Sequence, residues 1–179
     1  ISTIKTAFSG SSPLPLELFN RFEAACGVRV VEGYGLTEAT CLVSCNPVEG
    51  TKKVGSVGVP LPYTDVRILN CAEDGSVTGD CPPGEVGEIC VANPGVWAGK
   101  TYTEAEKNAG LFADGTHLRT GDLGFRWADQ LFVTGRLKDV IIIRGRNHYP
   151  QDIERTATAA HAHLARTVCR RAERSLVAL

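Results

Sequence analysis

The chain has 179 residues, of which 43% are hydrophobic and 22% are charged, and its formal net charge is −1. These proportions are typical of a globular protein, and they argue against a disordered chain and against a basic nucleic-acid-binding protein. No apolar run approaches the ~18 residues that a membrane-spanning helix needs. The chain begins at Ile1 and contains no Met, so we expect it to be a processed product or a fragment of a longer protein.

The cysteines show no C-x-x-C spacing, and their number is odd. This pattern favours reduced, mostly buried thiols, which are typical of cytoplasmic proteins, and we expect a cytoplasmic location. The seven residues are Cys26, Cys41, Cys45, Cys71, Cys81, Cys90 and Cys169.

The first 49 residues have the pattern of an α/β unit. Residues 1–8 predict a strand, and apolar residues at helical spacing predict a helix over residues 14–26. Gly27 is a suitable stop for that helix, and residues 28–32 predict a second strand. A strand, a helix and a strand in succession favour a parallel pair joined by a crossover.

From about Gly50 the chain becomes rich in glycine, proline and short strands, which predicts a small β subdomain. A short helix is predicted over residues 103–109, with Thr103 as its N-cap and Glu106 completing a capping box. Pro150 fits the first turn of a helix that extends to residue 160. The strands of this part are predicted at residues 65–69, 86–91, 131–134 and 140–144.

The loop that follows the second strand, residues 34–38, has side chains that suit a nucleotide. Gly35 allows the backbone to approach a phosphate, and the Thr37 hydroxyl can donate to a phosphate oxygen. The Glu38 carboxylate can hold Mg²⁺, and the Tyr34 ring can stack on a base. Alternatively, these five residues form an ordinary turn at the end of a strand.

Two further motifs are candidates for nucleotide contacts. In residues 119–124, Asp122 lies between glycines and is expected in a tight loop, where its carboxylate could accept hydrogen bonds from ribose hydroxyls. The alternative is an Asx-turn between strands. Residues 135–139 precede an apolar strand and an Arg-rich turn, and the alternative interpretation there is a hairpin with charged ends.

The order and spacing of six short motifs resemble the adenylate-forming enzyme superfamily. That superfamily includes acyl-CoA synthetases, fatty acyl-AMP ligases and the adenylation domains of peptide synthetases. Residues 34–124 look like acyl-CoA synthetases, and residues 131–154 look like fatty acyl-AMP ligases, which pass the acyl group to a carrier protein. The resemblance covers residues 9–160, and its motifs lie at residues 9–13, 34–38, 55–58, 87–89, 120–124 and 135–139.

The resemblance implies an α/β fold made of two parts. Residues 1–135 would be the C-terminal part of the large AMP-binding domain, with an α/β sheet piece over 1–49 and a small β-barrel subdomain over 50–135. Residues 136–179 would be the hinge and the start of the small α+β C-terminal domain. Lys138 matches the hinge position, and Gly145 matches a loop near the acyl-carrier tunnel.

The resemblance also implies a role for each matched residue. Tyr34 would stack on adenine, Asp122 would bind the ribose hydroxyls, and Arg136 would assist Asp122. Thr37 and Glu38 would be the catalytic residues, with Thr37 at the α-phosphate of ATP and Glu38 on Mg²⁺. The residues that would line the nucleotide are Gly10, Ser11, Ser12, Tyr34, Gly35, Thr37, Asp122 and Arg136.

The activity implied is ATP-dependent conversion of a fatty acid to acyl-AMP, followed by transfer to the thiol of CoA or of a carrier protein. The superfamily's phosphate loop and catalytic lysine have no match in these 179 residues, so we expect this chain alone to form no acyl-adenylate. The alternatives are a non-catalytic nucleotide-binding or interaction module and a peptide-synthetase adenylation domain. We also expect poor solubility of residues 1–45, because a truncated sheet exposes an edge strand.

Overall fold

A computed structural model describes residues 3–72, 76–97, 101–144 and 146–160. Gly145 and the Arg-rich tail after residue 160 lie outside the described residues. The chain divides into two compact units, Ile1–Thr134 and Gly135–Leu179. Each unit is described by itself.

The first sheet is built on the predicted crossover. Strand β1 (Thr6–Ser9), helix α1 (Leu16–Cys26) and strand β2 (Arg29–Tyr34) follow one another, and the two strands pair in parallel. Ser9 lies opposite Glu32, so the carboxyl ends of both strands meet at one edge of the sheet. The prediction of an α/β unit is confirmed.

Helix α1 ends where the sequence predicts. Gly27 adopts the left-handed conformation (φ 63°) and donates its N–H to the carbonyl oxygen of Glu23, which is the usual helix stop at glycine. Among the apolar residues of α1, Phe19 is buried, whereas Leu16, Leu18 and Phe22 are exposed. The apolar stripe of the helix therefore extends beyond the face that packs on β2. The poor solubility expected for residues 1–45 stays a prediction.

The sheet continues with two short antiparallel strands. Strand β3 (Ser44–Cys45) pairs with β2, and strand β4 (Val59–Pro60) pairs with β3, so the strand order is β1-β2-β3-β4. Neither short strand was predicted, because two residues carry no periodic pattern.

The second sheet has five strands in the order β6-β5-β7-β8-β9. Three of them lie at predicted positions, whereas β6 and β8 were not predicted. The paired neighbours β5–β6, β5–β7 and β7–β8 are antiparallel. The strands are β5 (Asp65–Cys71), β6 (Val77–Asp80), β7 (Gly87–Ala92), β8 (Leu118–Trp127) and β9 (Gln130–Arg136).

One hydrophobic core joins the two sheets of the first unit. It combines residues of the chain after β2 with one face of β5 and β7, and Tyr34 and Leu36 pack against it. The end of β2 is thereby held against the second sheet. The buried members are Ala39, Val43, Val66, Ile68, Ile89, Val91 and Leu131.

Helix α2 (Ala105–Asn108) is shorter than predicted, and Thr103 is not its N-cap. The N-cap is Glu104, whose side chain makes no capping hydrogen bond. The Asn108 amide instead bonds both the N–H and the carbonyl oxygen of Tyr102, at 2.9 and 2.7 Å. These two bonds close the turn that precedes the helix.

The second unit contains a hairpin and a helix. Strands β10 (Ile141–Ile143) and β11 (Arg146–His148) pair antiparallel, and helix α3 (Pro150–Ala160) follows. The helix starts at the predicted proline, and β10 lies within the predicted strand. Across the described ranges, we find no helix with the length and apolar character to cross a membrane.

The glycine-rich motif at residues 55–58 has a structural role. The buried Ser56 hydroxyl lies 3.0 Å from the carbonyl oxygen of Leu131 and accepts the N–H of Gly58 at 2.9 Å. A Cβ atom at Gly58 would lie 1.9 Å from the carbonyl carbon of Cys45, whereas one at Gly55 would meet nothing within 4 Å. Both glycines have a positive φ, 85° and 83°, so they differ mainly in this contact.

We predict that Gly58→Ala destabilises the chain much more than Gly55→Ala. Each substitution places a Cβ in a left-handed conformation, which costs about 1–2 kcal/mol. Gly58→Ala adds an overlap with backbone atoms, which we expect to cost roughly 1–3 kcal/mol more. Urea unfolding of both variants measures the difference, and equal losses of unfolding free energy would contradict the packing argument.

Lys52 ties the loop after β3 to α1 and β2. Its ammonium contacts the Glu23 carboxylate and lies 4.2 Å from the centroid of the Phe19 ring. Glu23 also accepts the N–H of Val30 at 2.7 Å. The hydrogen bond from Lys52 and the one from Val30 hold the pKa of Glu23 below its ordinary value, against the opposing effect of desolvation.

We predict that Glu23→Gln lowers the unfolding free energy at neutral pH by about 1.5–3 kcal/mol, the usual range for hydrogen bonds to a charged group. A lowered pKa in the folded state stabilises the protein above the unfolded-state pKa, and this contribution disappears as the pH falls through the folded-state pKa. The gap between wild type and variant should therefore close in acid. Unfolding measured from pH 7 to pH 3 tests this, with Glu17→Gln on the exposed side of α1 as the matched control.

Candidate functional site

The candidate site forms at the edge where β1 and β2 end. Gly10 follows β1, and a Cβ atom there would lie 3.4 Å from the carbonyl oxygen of Gly33 and 3.1 Å from the Phe8 ring. Ser11 adopts a positive φ of 68°, and Ser11 and Ser12 are exposed. The structure thus places the predicted loop of residues 10–12 beside the strand that ends at Tyr34.

The loop after β2 turns sharply back on itself. A Cβ atom at Gly35 would lie 1.6 Å from the carbonyl oxygen of Cys41, so this position requires glycine for packing within the loop. The sequence favours a glycine here for close approach of a phosphate, but the contact with Cys41 within the loop is a sufficient reason for glycine without a phosphate. Residues Thr37–Ala39 form a single 3₁₀ turn, and Thr40 and Cys41 follow with positive φ angles of 60° and 85°.

A segment that sequence reasoning missed holds this loop in place. The Asn93 amide donates to the carbonyl oxygen of Ala39 at 3.3 Å, and its oxygen accepts the N–H groups of Gly95 and Val96 at 2.8 and 3.0 Å. The Thr40 hydroxyl donates to the carbonyl oxygen of Gly95 at 3.1 Å. Asn-Pro-Gly is a turn signal, but nothing in it indicates which loop it contacts.

Thr37 and Glu38 lie at the outer side of the loop. Thr37 is exposed and Glu38 is half-buried. The Tyr102 hydroxyl donates a hydrogen bond to the Glu38 carboxylate. That bond, together with burial, raises the pKa of Tyr102 above its ordinary value. Tyr102 was not predicted as a partner of Glu38, because it is 64 positions away and no local pattern connects the two.

The Tyr34 hydroxyl donates to the Asp122 carboxylate at 2.8 Å, across 88 positions of sequence. Tyr34 ends β2 in the first sheet, whereas Asp122 lies on β8 in the second. Both side chains are half-buried. The structure therefore brings together two motifs that the sequence linked only through a common ligand.

Asp122 lies in a bulge inside a strand, so the predicted tight loop and the alternative Asx-turn are both wrong. Glu88 pairs with Leu123 and Cys90 with Arg119, so Ile89 alone faces the three residues 120–122. Gly121, at the centre, has a φ of 70°. Extra residues on one strand of an antiparallel pair redirect the side chains of that strand.

A buried ion pair borders the bulge. Glu88 is 3% exposed, and its Oε2 accepts bonds from Arg119 Nε and Nη2 at 3.0 and 2.7 Å. Its Oε1 accepts the N–H of Gly121 at 3.1 Å. The carboxylate raises the pKa of Arg119. The sequence motif at residues 87–89 contributed to the resemblance, but it gave no sign of this role.

Two thiols near this pair, the half-buried Cys71 and the buried Cys90, are held in the neutral form. Burial, followed by a hydrogen bond with Glu88, raises the pKa of Cys71 to about 11. Burial also raises the pKa of Cys90. A thiol with a raised pKa is a poor nucleophile. The prediction of mostly buried thiols is wrong, because among the six described cysteines Cys90 alone is buried and Cys41 is exposed.

Arg136 and Lys138 belong to the second unit. Arg136 is the last residue of β9, and Lys138 lies in the 3₁₀ turn Leu137–Asp139. Both side chains are exposed. Their predicted roles, at the ribose and at the hinge, remain predictions.

Comparison with known proteins identifies two family matches. The profile of the AMP-binding enzyme family matches residues 1–100. The profile of the cobalamin adenosyltransferase family matches residues 149–179, which is less than half of the chain and lies mostly outside the described residues, and it establishes no family membership.

Curated relatives and solved structures agree with the first match. The chain is 40% identical over 155 residues to a long-chain-fatty-acid–CoA ligase of Bacillus subtilis, covering 86% of this chain and 27% of that protein. It is 36% identical over 204 aligned positions to a medium-chain-fatty-acid–[acyl-carrier-protein] ligase of Moorena producens, covering 92% and 34%. The structure resembles O-succinylbenzoate coenzyme A synthetase of Bacillus subtilis in complex with ATP and magnesium ion, with a TM-score of 0.69, 35% identity and coverage of 84% and 30%.

The chain thus spans about a third or less of the length of these relatives. Its matched residues include the end of β2, the loop after it and the strand that carries Glu88. On the family match and on this fold, the chain belongs to the AMP-binding enzyme family.

Proposed function

We propose that this chain is the nucleotide-binding part of an ATP-dependent ligase that activates a carboxylic acid as acyl-AMP and passes it to a thiol. The observation that carries the proposal is the Tyr34–Asp122 hydrogen bond of 2.8 Å, since it unites the two motifs expected at adenine and ribose. The relatives' names support a fatty acid as the substrate and CoA or an acyl carrier protein as the acceptor.

The adenosine would lie at the edge where β1 and β2 end. The Tyr34 ring and Gly35 would contact one face of adenine, and the loop of Gly10, Ser11 and Ser12 the other. A carboxylate has two oxygens and about four acceptor positions. Asp122 can therefore accept the Tyr34 hydroxyl and ribose hydroxyls together, with Arg136 as the proposed assistant.

The phosphates and Mg²⁺ would lie at Thr37 and Glu38. Among the described residues, no three His, Cys, Asp or Glu side chains converge to hold a metal by themselves. Mg²⁺ is commonly bound by one or two carboxylates together with substrate phosphates, and the single Glu38 carboxylate fits that arrangement. When bound, Mg²⁺ would neutralise charge on the phosphates during adenylation.

The proposed reaction has two displacement steps. The substrate carboxylate attacks the α-phosphorus of ATP, and pyrophosphate leaves. The thiolate of the acceptor then attacks the acyl carbon of the mixed anhydride, and AMP leaves. In this proposal Lys138 is the hinge between the two steps, because such hinges lie at element ends and absorb the backbone change.

We infer that the acceptor is either CoA or a carrier-protein thiol, and that the protein is cytoplasmic. Residues 131–154 resemble the ligases that use a carrier protein, and the relatives include both kinds. The six cysteines in the described ranges are free thiols, in keeping with a reducing compartment.

We predict that Asp122→Asn weakens binding of AMP to the chain by about tenfold or more. The charged acceptor contributes roughly 1.5–3 kcal/mol to such hydrogen bonds, and 1.4 kcal/mol corresponds to tenfold. Isothermal titration calorimetry with AMP measures the effect. Asp129→Asn, the same change in the exposed turn between β8 and β9, is the matched control, and equal affinities of the two variants would contradict the assignment.

We predict that Glu38→Gln abolishes the gain in ATP affinity that Mg²⁺ provides. The neutral amide is a weaker ligand for a hard cation, whereas contacts to adenosine are unchanged. ATP titrations with Mg²⁺ and with a chelator measure the gain, and AMP binding without metal should equal that of wild type. Glu49→Gln, on an exposed loop, is the control. A gain that survives Glu38→Gln would remove Glu38 from the metal site.

A further inference from the structure

We propose that Glu88 is a positioning residue for Asp122, and that it acts by holding the bulge of residues 120–122 in one geometry. This inference rests on the proposed function, because it assigns Asp122 to the ribose of a bound nucleotide. Glu88 itself would touch no part of that nucleotide. Its role would be exerted through Gly121 and Arg119.

The first argument concerns the register of β7 and β8. Leu123 pairs with Glu88 and Arg119 pairs with Cys90, so three residues of β8 occupy the space that one would fill in a regular ladder. The register shift places Asp122 between two paired positions of the strand. Side-chain contacts to the backbone of the bulge are therefore available to fix the position of Asp122.

The second argument concerns the two oxygens of Glu88, which have separate partners. Oε1 accepts the N–H of Gly121 at the centre of the bulge, at 3.1 Å. Oε2 accepts a two-pronged interaction from the Arg119 guanidinium, at 3.0 and 2.7 Å. Arg119 precedes the bulge on the same strand. The Glu88 carboxylate therefore holds both the residue before the bulge and the residue at its centre.

The third argument concerns burial. The Glu88 side chain is 2% exposed and the Arg119 side chain 15%, so water competes little for these bonds. Breaking a buried pair leaves an uncompensated charge and is strongly unfavourable. The geometry is therefore restrictive, which is what a positioning residue requires.

The fourth argument concerns Thr120, which fixes the opposite side of the bulge. Its hydroxyl donates to the carbonyl oxygen of Ile89 at 2.7 Å and accepts the N–H of Asp122 at 3.1 Å. The backbone of Asp122 is thus held by Thr120, and that of Gly121 by Glu88. The Asp122 carboxylate then meets the Tyr34 hydroxyl at 2.8 Å.

The test measures recognition of ribose. Calorimetry gives the dissociation constants of AMP and of 2′,3′-dideoxy-AMP, which retains the base and phosphate but lacks both hydroxyls. Their ratio reports the contribution of the ribose hydroxyls. The chains compared are wild type, Glu88→Gln, Asp122→Asn and the double variant. Glu85→Gln is the control, because Glu85 is exposed and lies just before β7.

We expect wild type and Glu85→Gln to prefer AMP by about tenfold or more, as charged hydrogen bonds predict. In Glu88→Gln the side chain is neutral and has a single acceptor oxygen, so its NH₂ group must face either Arg119 or the Gly121 N–H. One of the two contacts is lost in either orientation, and the bulge relaxes. The AMP preference should fall toward unity, whereas the affinity for 2′,3′-dideoxy-AMP should stay within about twofold of wild type. The AMP preference of the double variant should not fall below that of Asp122→Asn alone, because both changes remove the same contact with the ribose hydroxyls.

Several results would overturn the role of Glu88. A folded Glu88→Gln chain that keeps its AMP preference would do so, as would one that loses both ligands equally. If Glu88→Gln does not fold by circular dichroism, Arg119→Lys is the second variant. It keeps a positive charge beside Glu88 but removes the two-pronged interaction that holds the Glu88 carboxylate. An unchanged AMP preference in that variant would contradict the proposal. A wild-type chain without affinity for AMP would overturn both the proposed function and this inference. Normal AMP binding by wild type, with the same ratio of the two dissociation constants in the variants as in wild type, would overturn the inference alone.

Discussion

The hydrophobic core shared by the two sheets determines where the candidate site forms. Ala39 and Val43, from the chain after β2, are buried together with Ile89 and Leu131 of the second sheet. Burial of such side chains contributes roughly 1.5–3 kcal/mol each for the larger ones. Because the loop of residues 35–43 cannot leave the second sheet without exposing these residues, the end of β2 must lie close to β8. The polar contacts at Asn93, Thr40 and Tyr34 then select one arrangement among those that the core allows.

A buried charge sets the finer geometry. Two ionised groups removed from water are tolerated when their hydrogen-bonding capacity is satisfied. Glu88 meets this condition by accepting bonds from Arg119 and from the Gly121 N–H. The same bonds that compensate its burial also determine the path of β8.

The sequence predicted those features that depend on neighbouring residues. The stop of α1 at Gly27, the parallel crossover and the start of α3 at Pro150 follow from local rules and are confirmed. The features that it missed depend on distant partners. The bond of Tyr34 to Asp122 spans 88 positions, and that of Tyr102 to Glu38 spans 64. The predicted short helix is present as α2, but its N-cap is Glu104 and not Thr103.

The two halves of the candidate site differ in how firmly the protein holds them. Asp122 lies on a strand whose bulge is fixed by Glu88 and Thr120, and its carboxylate already contacts Tyr34. The part proposed to hold Mg²⁺ is less constrained, since Glu38 lies in a single 3₁₀ turn with the exposed Tyr102 as a partner. Under the proposed function, a site pre-organised in this way would lose less conformational entropy on binding the ribose than on binding the phosphates. The adenosine part of the proposed ligand would then supply most of the affinity, and the phosphates and Mg²⁺ would order the Glu38 side of the site as they bind.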